Sequence, residues 1–170
     1  RAATVGSDRC SGSWHCLRLA GEGPRVLDDR REPDLVRVRR VVDLIVRVHP
    51  RGRVDQFAEH VLKRAGRVDI LVNTAGWGRA QPFLDNPPEF WDRVIAINLM
   101  GPIRLTRRLL PAMFEARSGK IINVASDAGR VGSLGETVYS AAKGGLIAFT
   151  KALARESARY NVNVNCVCPG

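Results

Sequence analysis

The sequence has no apolar run long enough to cross a membrane, since a transmembrane helix needs about 20 consecutive apolar residues. The charged-then-apolar pattern of a secretory signal is also missing near its N-terminus. We therefore expect a cytoplasmic protein with no membrane partner.

Cysteine is scarce, with four residues in the chain. Cys166 and Cys168 alternate on an expected strand, so both side chains face one side, where small buried hydrophobic groups are the usual explanation. A metal ion would need two further ligands nearby, and the sequence offers none. We therefore expect no metal site.

Lysine is also rare, because only four of the 27 basic residues are Lys. The net charge of +10 would suit a nucleic-acid partner. However, the twelve arginines before Val54 are scattered among acids rather than lining one helical face. There is no recognisable nucleic-acid-binding motif and no interleaving of aromatic residues. We therefore expect no nucleic-acid partner.

What the chain does contain is the pattern of a single α/β domain spanning residues 1–170. Its length suffices for one core, and 45% apolar with 26% charged residues is ordinary for a globular chain. Short β-branched runs alternate with amphipathic segments, which predicts a doubly wound parallel sheet. Strands are predicted at residues 68–72, 121–124 and 162–167, and helices at residues 54–64, 88 to near 119, and 139–160.

A candidate proton-transfer site follows the strand at residues 121–124. Ser126 comes just past that strand, where open α/β sheets place ligand-binding groups. Tyr139 and Lys143 are four residues apart, so on a helix they share one face. The ammonium would lower the pKa of the phenol from about 10, and the serine hydroxyl would hold a substrate oxygen. Alone, a tyrosine–lysine pair at this spacing is more typical of a helix surface, but the serine after a strand favours the catalytic interpretation.

The order of these residues, a serine and then Tyr-x-x-x-Lys, resembles the short-chain dehydrogenase/reductase family. Val72–Gly76 is similar to the family's Asn-Asn-Ala-Gly turn, with Thr74 in the second place. Asn98 matches the helix asparagine of the family's catalytic tetrad, and residues 169–170 match the Pro-Gly after its sixth strand. The resemblance covers roughly residues 54–170.

The resemblance implies a Rossmann-like enzyme that uses NAD or NADP to interconvert a secondary alcohol and a ketone. Tyr139 would be its general base or acid, and Lys143 would lower the pKa of Tyr139 and hold the nicotinamide ribose. Ser126 would orient the substrate oxygen, and Asn98 would hold a water molecule of the proton relay. The implied cofactor-binding residues are Asn73, Ala75, Gly76, Tyr139, Lys143, Pro169 and Gly170. Asn73 is also typical of a turn former that binds no ligand.

Residues 1–53 depart from the family's pattern. They lack the Thr-Gly-x-x-x-Gly-x-Gly loop that brings the backbone close to a dinucleotide pyrophosphate. We interpret this segment as aberrant, with a shifted reading frame over part of it as our hypothesis, and residues 54–170 as the clear core. The chain also stops at Gly170, before the segment that in the family covers the substrate, so we expect a sheet incomplete at both ends.

The choice between the two dinucleotides depends on charges in the aberrant segment. Asp28 or Asp29 would bind the adenosine ribose and select NAD. Arg30 and Arg31, which follow directly, would instead suit the 2′-phosphate of NADP. We favour NAD.

The expected substrate is an acyl-CoA thioester. Residues 125–133, together with Gly135, Glu136 and the ending at residues 166–170, resemble the branch of the family that oxidises 2-hydroxycyclohexanecarboxyl-CoA. The alternatives are a 3-oxoacyl-(acyl-carrier-protein) reductase and an inactive fragment of the family. The resemblance also implies a homo-oligomer, a dimer or a tetramer, for the full-length form.

Overall fold

A computed structural model of the protein describes residues 41–44 and 52–170. The predictions about the phosphate loop and about Asp28, Asp29, Arg30 and Arg31 lie outside these residues. The boundary between an aberrant and a clear segment near residue 53 stays a prediction.

The described residues form one parallel sheet of four strands in the order β1-β2-β3-β4. The strands are β1 Val41–Leu44, β2 Ile70–Asn73, β3 Gly119–Val124 and β4 Val162–Val167. Their β-branched and leucine content is typical of strands buried in a parallel sheet. The register aligns Asn73 with Asn123 and Asn123 with Cys166. β1 falls within residues 1–53, and no strand is predicted from the sequence at residues 41–44.

Helices connect the strands, as parallel pairing requires. They are α1 Gly52–Ala65, α2 Pro88–Ile95, α3 Gly101–Glu115, α4 Ala128–Val131 and α5 Thr137–Ser157. A π turn at Ala96–Met100 joins α2 to α3, and short 3₁₀ turns lie at Phe83–Asp85 and Ala158–Tyr160. The predicted α/β class is confirmed. The sheet formed by the described residues is a partial one.

Residues with positive φ follow the ends of α1 and α3. Gly66 adopts a φ of 71°, a left-handed conformation, and its N–H bonds to Leu62 O at 2.8 Å, which ends α1. The helix predicted to run to near Gly119 ends earlier, at Glu115, so that prediction is wrong at its boundary. Arg117 turns the chain with a φ of 47°, and Gly119 already belongs to β3.

The core lies between the sheet and the helices α1, α3 and α5. Leu71 of β2 and Ile121 of β3 are fully buried against Leu105, Leu109 and Met113 of α3. Because α5 packs against β4 and against the π turn, this core holds α5 at a fixed height relative to the carboxyl ends of the strands.

Candidate active site

The carboxyl ends of β2, β3 and β4 meet at one edge of the sheet, and the predicted site residues lie there. Ala75 and Gly76 follow β2, Ser126 follows β3, and residues 169–170 follow β4. The start of α5 brings Tyr139 to the same edge. Ligands of open α/β sheets bind outside these ends.

The Ser126 side chain lies beside the Tyr139 phenol. Ser126 is only 6% exposed, and its Oγ accepts a hydrogen bond from Ala128 N at 3.2 Å. Burial raises the pKa of the Tyr139 phenol above its usual 10, the neighbouring Ser126 hydroxyl opposes that rise, and the charge of Glu136 adds to it. The two hydroxyls therefore lie together, and the phenol keeps its proton at neutral pH.

Lys143 is buried directly beneath them. It is 2% exposed, its Nζ donates to Val124 O at 2.8 Å, and the ammonium lies 5.7 Å from the centre of the Tyr139 ring. Burial lowers its pKa from 10.5 to about 8, while nearby Cys166 and Cys168 act in the opposite direction. The predicted fall in the pKa of Tyr139 is wrong for this structure, because burial raises that pKa and the Lys143 ammonium is not among its causes.

Asn98 lies in the π turn, where one extra residue in the helical turn points its amide inward. Its Nδ2 donates to Trp77 O at 2.6 Å and to Val94 O at 2.9 Å, and its Oδ1 accepts from Trp77 N at 3.1 Å. The amide therefore anchors the loop that follows Gly76. A Cβ at Gly76 would lie 3.5 Å from Asn98 Oδ1 and 3.6 Å from Lys143 Nζ, so this glycine keeps space open between the amide and the ammonium.

Pro169 and Gly170 lie beside the turn that carries Ser126. Asp127 N donates to Pro169 O at 2.8 Å, and a Cβ at Gly170 would be 3.9 Å from the Asp127 side chain. The end of β4 and the turn that carries Ser126 are thus held together by a backbone hydrogen bond.

Asn73 points away from the edge, into the protein. It is 2% exposed, and its Nδ2 donates to Asn123 Oδ1 at 2.7 Å and lies 3.5 Å from Thr106 Oγ1. Its own Oδ1 has no hydrogen-bond partner within residues 41–44 and 52–170. The side chain thus ties β2 to β3 and α3 rather than joining Ser126, Tyr139 and Lys143.

Similarity to known proteins decides the family. A sequence model described as short chain dehydrogenase matches residues 2–170. This chain belongs to the short chain dehydrogenase family. The 3-oxoacyl-(acyl-carrier-protein) reductase of Thermotoga maritima is 40% identical over 126 residues, 74% of this chain and 51% of the relative. The D-beta-hydroxybutyrate dehydrogenase of Cupriavidus necator is 48% identical over 119 residues, 70% of this chain and 46% of the relative.

A solved structure agrees with this family. A short-chain dehydrogenase from Streptomyces avermitilis superposes with a TM-score of 0.68 at 39% identity, over 70% of this chain and 44% of that chain. The chain spans about half the length of the curated relatives it matches. Among the residues that the structure describes, no helix is long and apolar enough to span a membrane and no cluster of ligands could hold a metal ion.

The described residues fit the nicotinamide end of the dinucleotide that this family uses. An ammonium has three N–H donors, and the protein acceptor found for Lys143 is Val124 O. The remaining donors suit ribose hydroxyls, and the space beside Gly76 is open towards them. The residues that would bind the pyrophosphate lie outside the described ranges.

Gly129 and Gly144, whose role sequence reasoning misses, set the distance between the turn that carries Ser126 and α5. A Cβ at Gly129 would lie 2.7 Å from Gly144 N and 2.7 Å from Lys143 C. A Cβ at Gly144 would lie 3.1 Å from Gly129 O. The backbones touch here only because both residues are glycine. The Gly-rich link after β3 is the signal that could have identified Gly129.

Sequence reasoning also misses a buried polar ladder. Asn123 of β3 is fully buried, accepts from Asn73, and donates from Nδ2 to Thr150 Oγ1 at 2.9 Å. The Thr150 hydroxyl in turn donates to Leu146 O at 2.7 Å. An asparagine inside the apolar run of β3 is the available signal, since a buried amide must find partners.

Proposed function

We propose that this chain carries the catalytic centre of an NAD(P)-dependent oxidoreductase that interconverts a secondary alcohol and a ketone. The observation that carries the proposal is that the Lys143 ammonium is 2% exposed and lies 5.7 Å from the centre of the Tyr139 ring, with Ser126 beside the phenol. A serine or a tyrosine alone is common at a sheet edge, whereas burial of a lysine costs free energy and is therefore unusual there.

In this mechanism the substrate oxygen binds between the two hydroxyls. Ser126 donates a hydrogen bond that stabilises charge developing on that oxygen. In the direction of ketone reduction, Tyr139, whose raised pKa keeps it protonated at neutral pH, gives its proton to the oxygen. In alcohol oxidation, Tyr139 takes the proton back. A bound nicotinamide dinucleotide would supply or accept the hydride.

Lys143 and Asn98 act in proton transfer rather than in substrate binding. An ammonium whose pKa is about 8 gives up and regains a proton readily near neutral pH. The Lys143 ammonium and the Asn98 amide oxygen both lie close to Gly76, 3.6 and 3.5 Å from where a Cβ would stand, and we propose that a water molecule bridges them. We infer that protons reach Tyr139 through Lys143 and this water molecule.

Cofactor contacts follow from the same edge. We assign Ala75, Gly76, Pro169 and Gly170 to the walls around the nicotinamide, and Tyr139 and Lys143 to its ribose. Asn73 acts from behind the sheet, by keeping β2 in place beneath Ala75 and Gly76. NAD rather than NADP remains our proposal, because the acids expected to select it lie in residues 1–53.

The substrate class we propose is an acyl thioester with oxygen on its third carbon. Two relatives are named for a 3-oxoacyl and a beta-hydroxy substrate, and 2-hydroxycyclohexanecarboxyl-CoA also carries its hydroxyl beta to the thioester. Among these, reduction of a 3-oxoacyl thioester has the relatives' names in its favour. Oxidation of 2-hydroxycyclohexanecarboxyl-CoA stays the second candidate, on the resemblance at residues 125–133 and 166–170.

The test is an assay of the full-length protein with acetoacetyl-CoA and NADH or NADPH, beside NAD and 2-hydroxycyclohexanecarboxyl-CoA. We expect turnover in the first pairing that disappears in Tyr139→Phe. Turnover equal in Tyr139→Phe and the wild type would overturn the proposed mechanism. No turnover with any pair, despite tight cofactor binding, would leave the inactive-fragment alternative as the better one.

We also propose that the full-length form is a homo-oligomer. An apolar groove of about 350 Å³ lies between α3 and α5. It is lined by Ile103, Thr106, Arg107, Leu110, Pro111, Phe114, Phe149 and Leu153. A second copy would cover this surface, and light scattering of the full-length protein tests it, with a monomer contradicting the proposal. The cytoplasmic location stays a prediction.

A further inference from the structure

Two free thiols that the mechanism does not use lie side by side at the end of β4. Cys166 and Cys168 are both partly exposed. Burial raises the pKa of the Cys166 thiol, neighbouring Cys168 adds to that rise, and neighbouring Thr150 opposes it. Both sulfurs are close enough to Lys143 for their charge to raise its pKa. The two cysteines are therefore neighbours of each other and of the catalytic lysine.

The backbone around Cys168 is hydrogen-bonded to the backbone around Ser126. Ala125 N donates to Val167 O at 2.8 Å, and Asp127 N donates to Pro169 O at 2.8 Å. Cys168 lies between the two acceptors, and Ser126 lies between the two donors. A displacement of Cys168 therefore strains both hydrogen bonds that flank the serine.

Bringing the two sulfurs into a covalent bond requires such a displacement. Side chains two residues apart on a strand point the same way, so their Cβ atoms, like their Cα atoms, are about 6.6 Å apart, whereas a disulfide needs a Cβ separation of about 3.5–4.5 Å. Closure thus brings the two Cβ atoms about 2–3 Å closer and displaces the backbone of one residue. Cys166 is fixed by its pairing opposite Asn123, while Cys168 lies just past the strand, so Cys168 is the residue that moves.

We propose that Cys166 and Cys168 are a peroxide-oxidised dithiol whose disulfide pulls the backbone of Cys168 away from the Ser126 turn. One thiol attacks the peroxide oxygen, which gives a sulfenic acid and one water molecule. The second thiol then attacks that sulfur and releases a second water molecule. The two cysteines together lose two electrons and two protons, and the peroxide is reduced.

The effect on the site follows from the loss of the two flanking hydrogen bonds. Ser126 would no longer be held beside Tyr139, so oxidation would inactivate the enzyme reversibly. This consequence for activity rests on the proposed function. The disulfide and the displacement of the turn do not rest on it.

The experiment uses the full chain with Cys10→Ser and Cys16→Ser, so that only the pair at β4 can react. After treatment with hydrogen peroxide, we expect the intact mass to fall by two hydrogens, both free thiols to disappear, and dithiothreitol to restore them. Residue-resolved amide exchange should quicken about fivefold at Ala125 and Asp127, as expected when one backbone hydrogen bond is lost. The amide of Leu153, within α5, serves as the internal control.

The matched variants are Cys166→Ser and Cys168→Ser, which keep the fold but cannot close the bond. Their exchange at Ala125 and Asp127 should not respond to peroxide. A disulfide between two molecules, oxidation that stops at sulfinic acid, or an internal disulfide with unchanged exchange would each overturn the proposal. In the full-length protein, activity that survives complete disulfide formation would refute inactivation, whereas absent activity in the reduced protein would count against the proposed function only.

Discussion

Gly129→Ala is the substitution whose effect the structure predicts most directly. The added Cβ would lie 2.7 Å from Gly144 N and Lys143 C, and 2.9 Å from Lys143 Cβ. These are mainly backbone atoms, which cannot move away by a change of side-chain rotamer. Since such atoms rest about 3.5 Å apart, the turn carrying Ser126 must retreat from α5 by roughly 0.8 Å.

Two opposing effects set the size of the loss. Overpacking of this kind costs about 1–3 kcal/mol, whereas replacing glycine by alanine stabilises by about 0.4–1 kcal/mol through the unfolded chain. We expect a net loss of about 1–2 kcal/mol in the free energy of unfolding. Because misplacement of a catalytic group by about 1 Å costs on the order of a hundredfold in rate, kcat should fall far more than the stability suggests.

Gly144→Ala is the matched control on the other side of the contact. Its Cβ would lie 3.1 Å from Gly129 O, so a much smaller shift suffices. An alanine inside α5 also gains about 1 kcal/mol of helix propensity, so we expect near-neutral stability. Urea unfolding and steady-state kinetics of the full-length protein measure both variants. Equal stability and kcat for Gly129→Ala and the wild type would refute the argument from close approach.

Three further predictions concern the site. Tyr139→Phe should lower kcat by about 10²–10⁴-fold while the NADH affinity, measured by calorimetry, stays largely intact, because Lys143 still binds the ribose; a loss of affinity as large as the loss of kcat would contradict a mainly chemical role. Because burial lowers the pKa of Lys143 to about 8 while the unfolded lysine titrates near 10.5, the unfolded chain binds more protons between these values. The free energy of unfolding of the wild type should therefore rise from pH 8 to pH 9 relative to that of Lys143→Met. The same pH dependence of the urea midpoint in both proteins would contradict this prediction. The 170-residue chain should bind NADH far more weakly than a full-length version in which the phosphate loop is repaired, since its first 53 residues lack that loop; micromolar binding by the 170-residue chain in calorimetry would refute this.

How much the sequence predicts depends on whether the deciding information is local. The spacing of Tyr139 and Lys143, and Ser126 just past a strand, are local patterns, and the structure brings the three residues together. The strand at Val162–Val167 is predicted with its correct bounds, because valines form both of its ends and Asn161 turns the chain before it. Local periodicity is less informative at Gly119, which lies between a helix end and a strand start.

What the sequence does not predict depends on burial by distant parts of the chain. The expected fall in the pKa of Tyr139 is a local inference from the lysine one turn away, and burial by residues far along the chain reverses it. Likewise, a close approach such as that of Gly129 to Gly144 becomes visible only when α4 is packed on α5. Neither pairwise spacing nor propensity carries this information.

The polar ladder inside the sheet shows why the site can be held rigidly. Each buried amide or hydroxyl left without a partner costs about 1–3 kcal/mol, so Asn73, Asn123 and Thr150 can be tolerated in the core only in one relative arrangement. That arrangement ties β2 to β3 and β3 to α5, which are the elements that carry Gly76, Ser126 and Lys143. A slip of α5 along the sheet would break the bond between Asn123 and Thr150. The ladder therefore fixes the height of Lys143 beneath the catalytic hydroxyls, even though none of its members touches them.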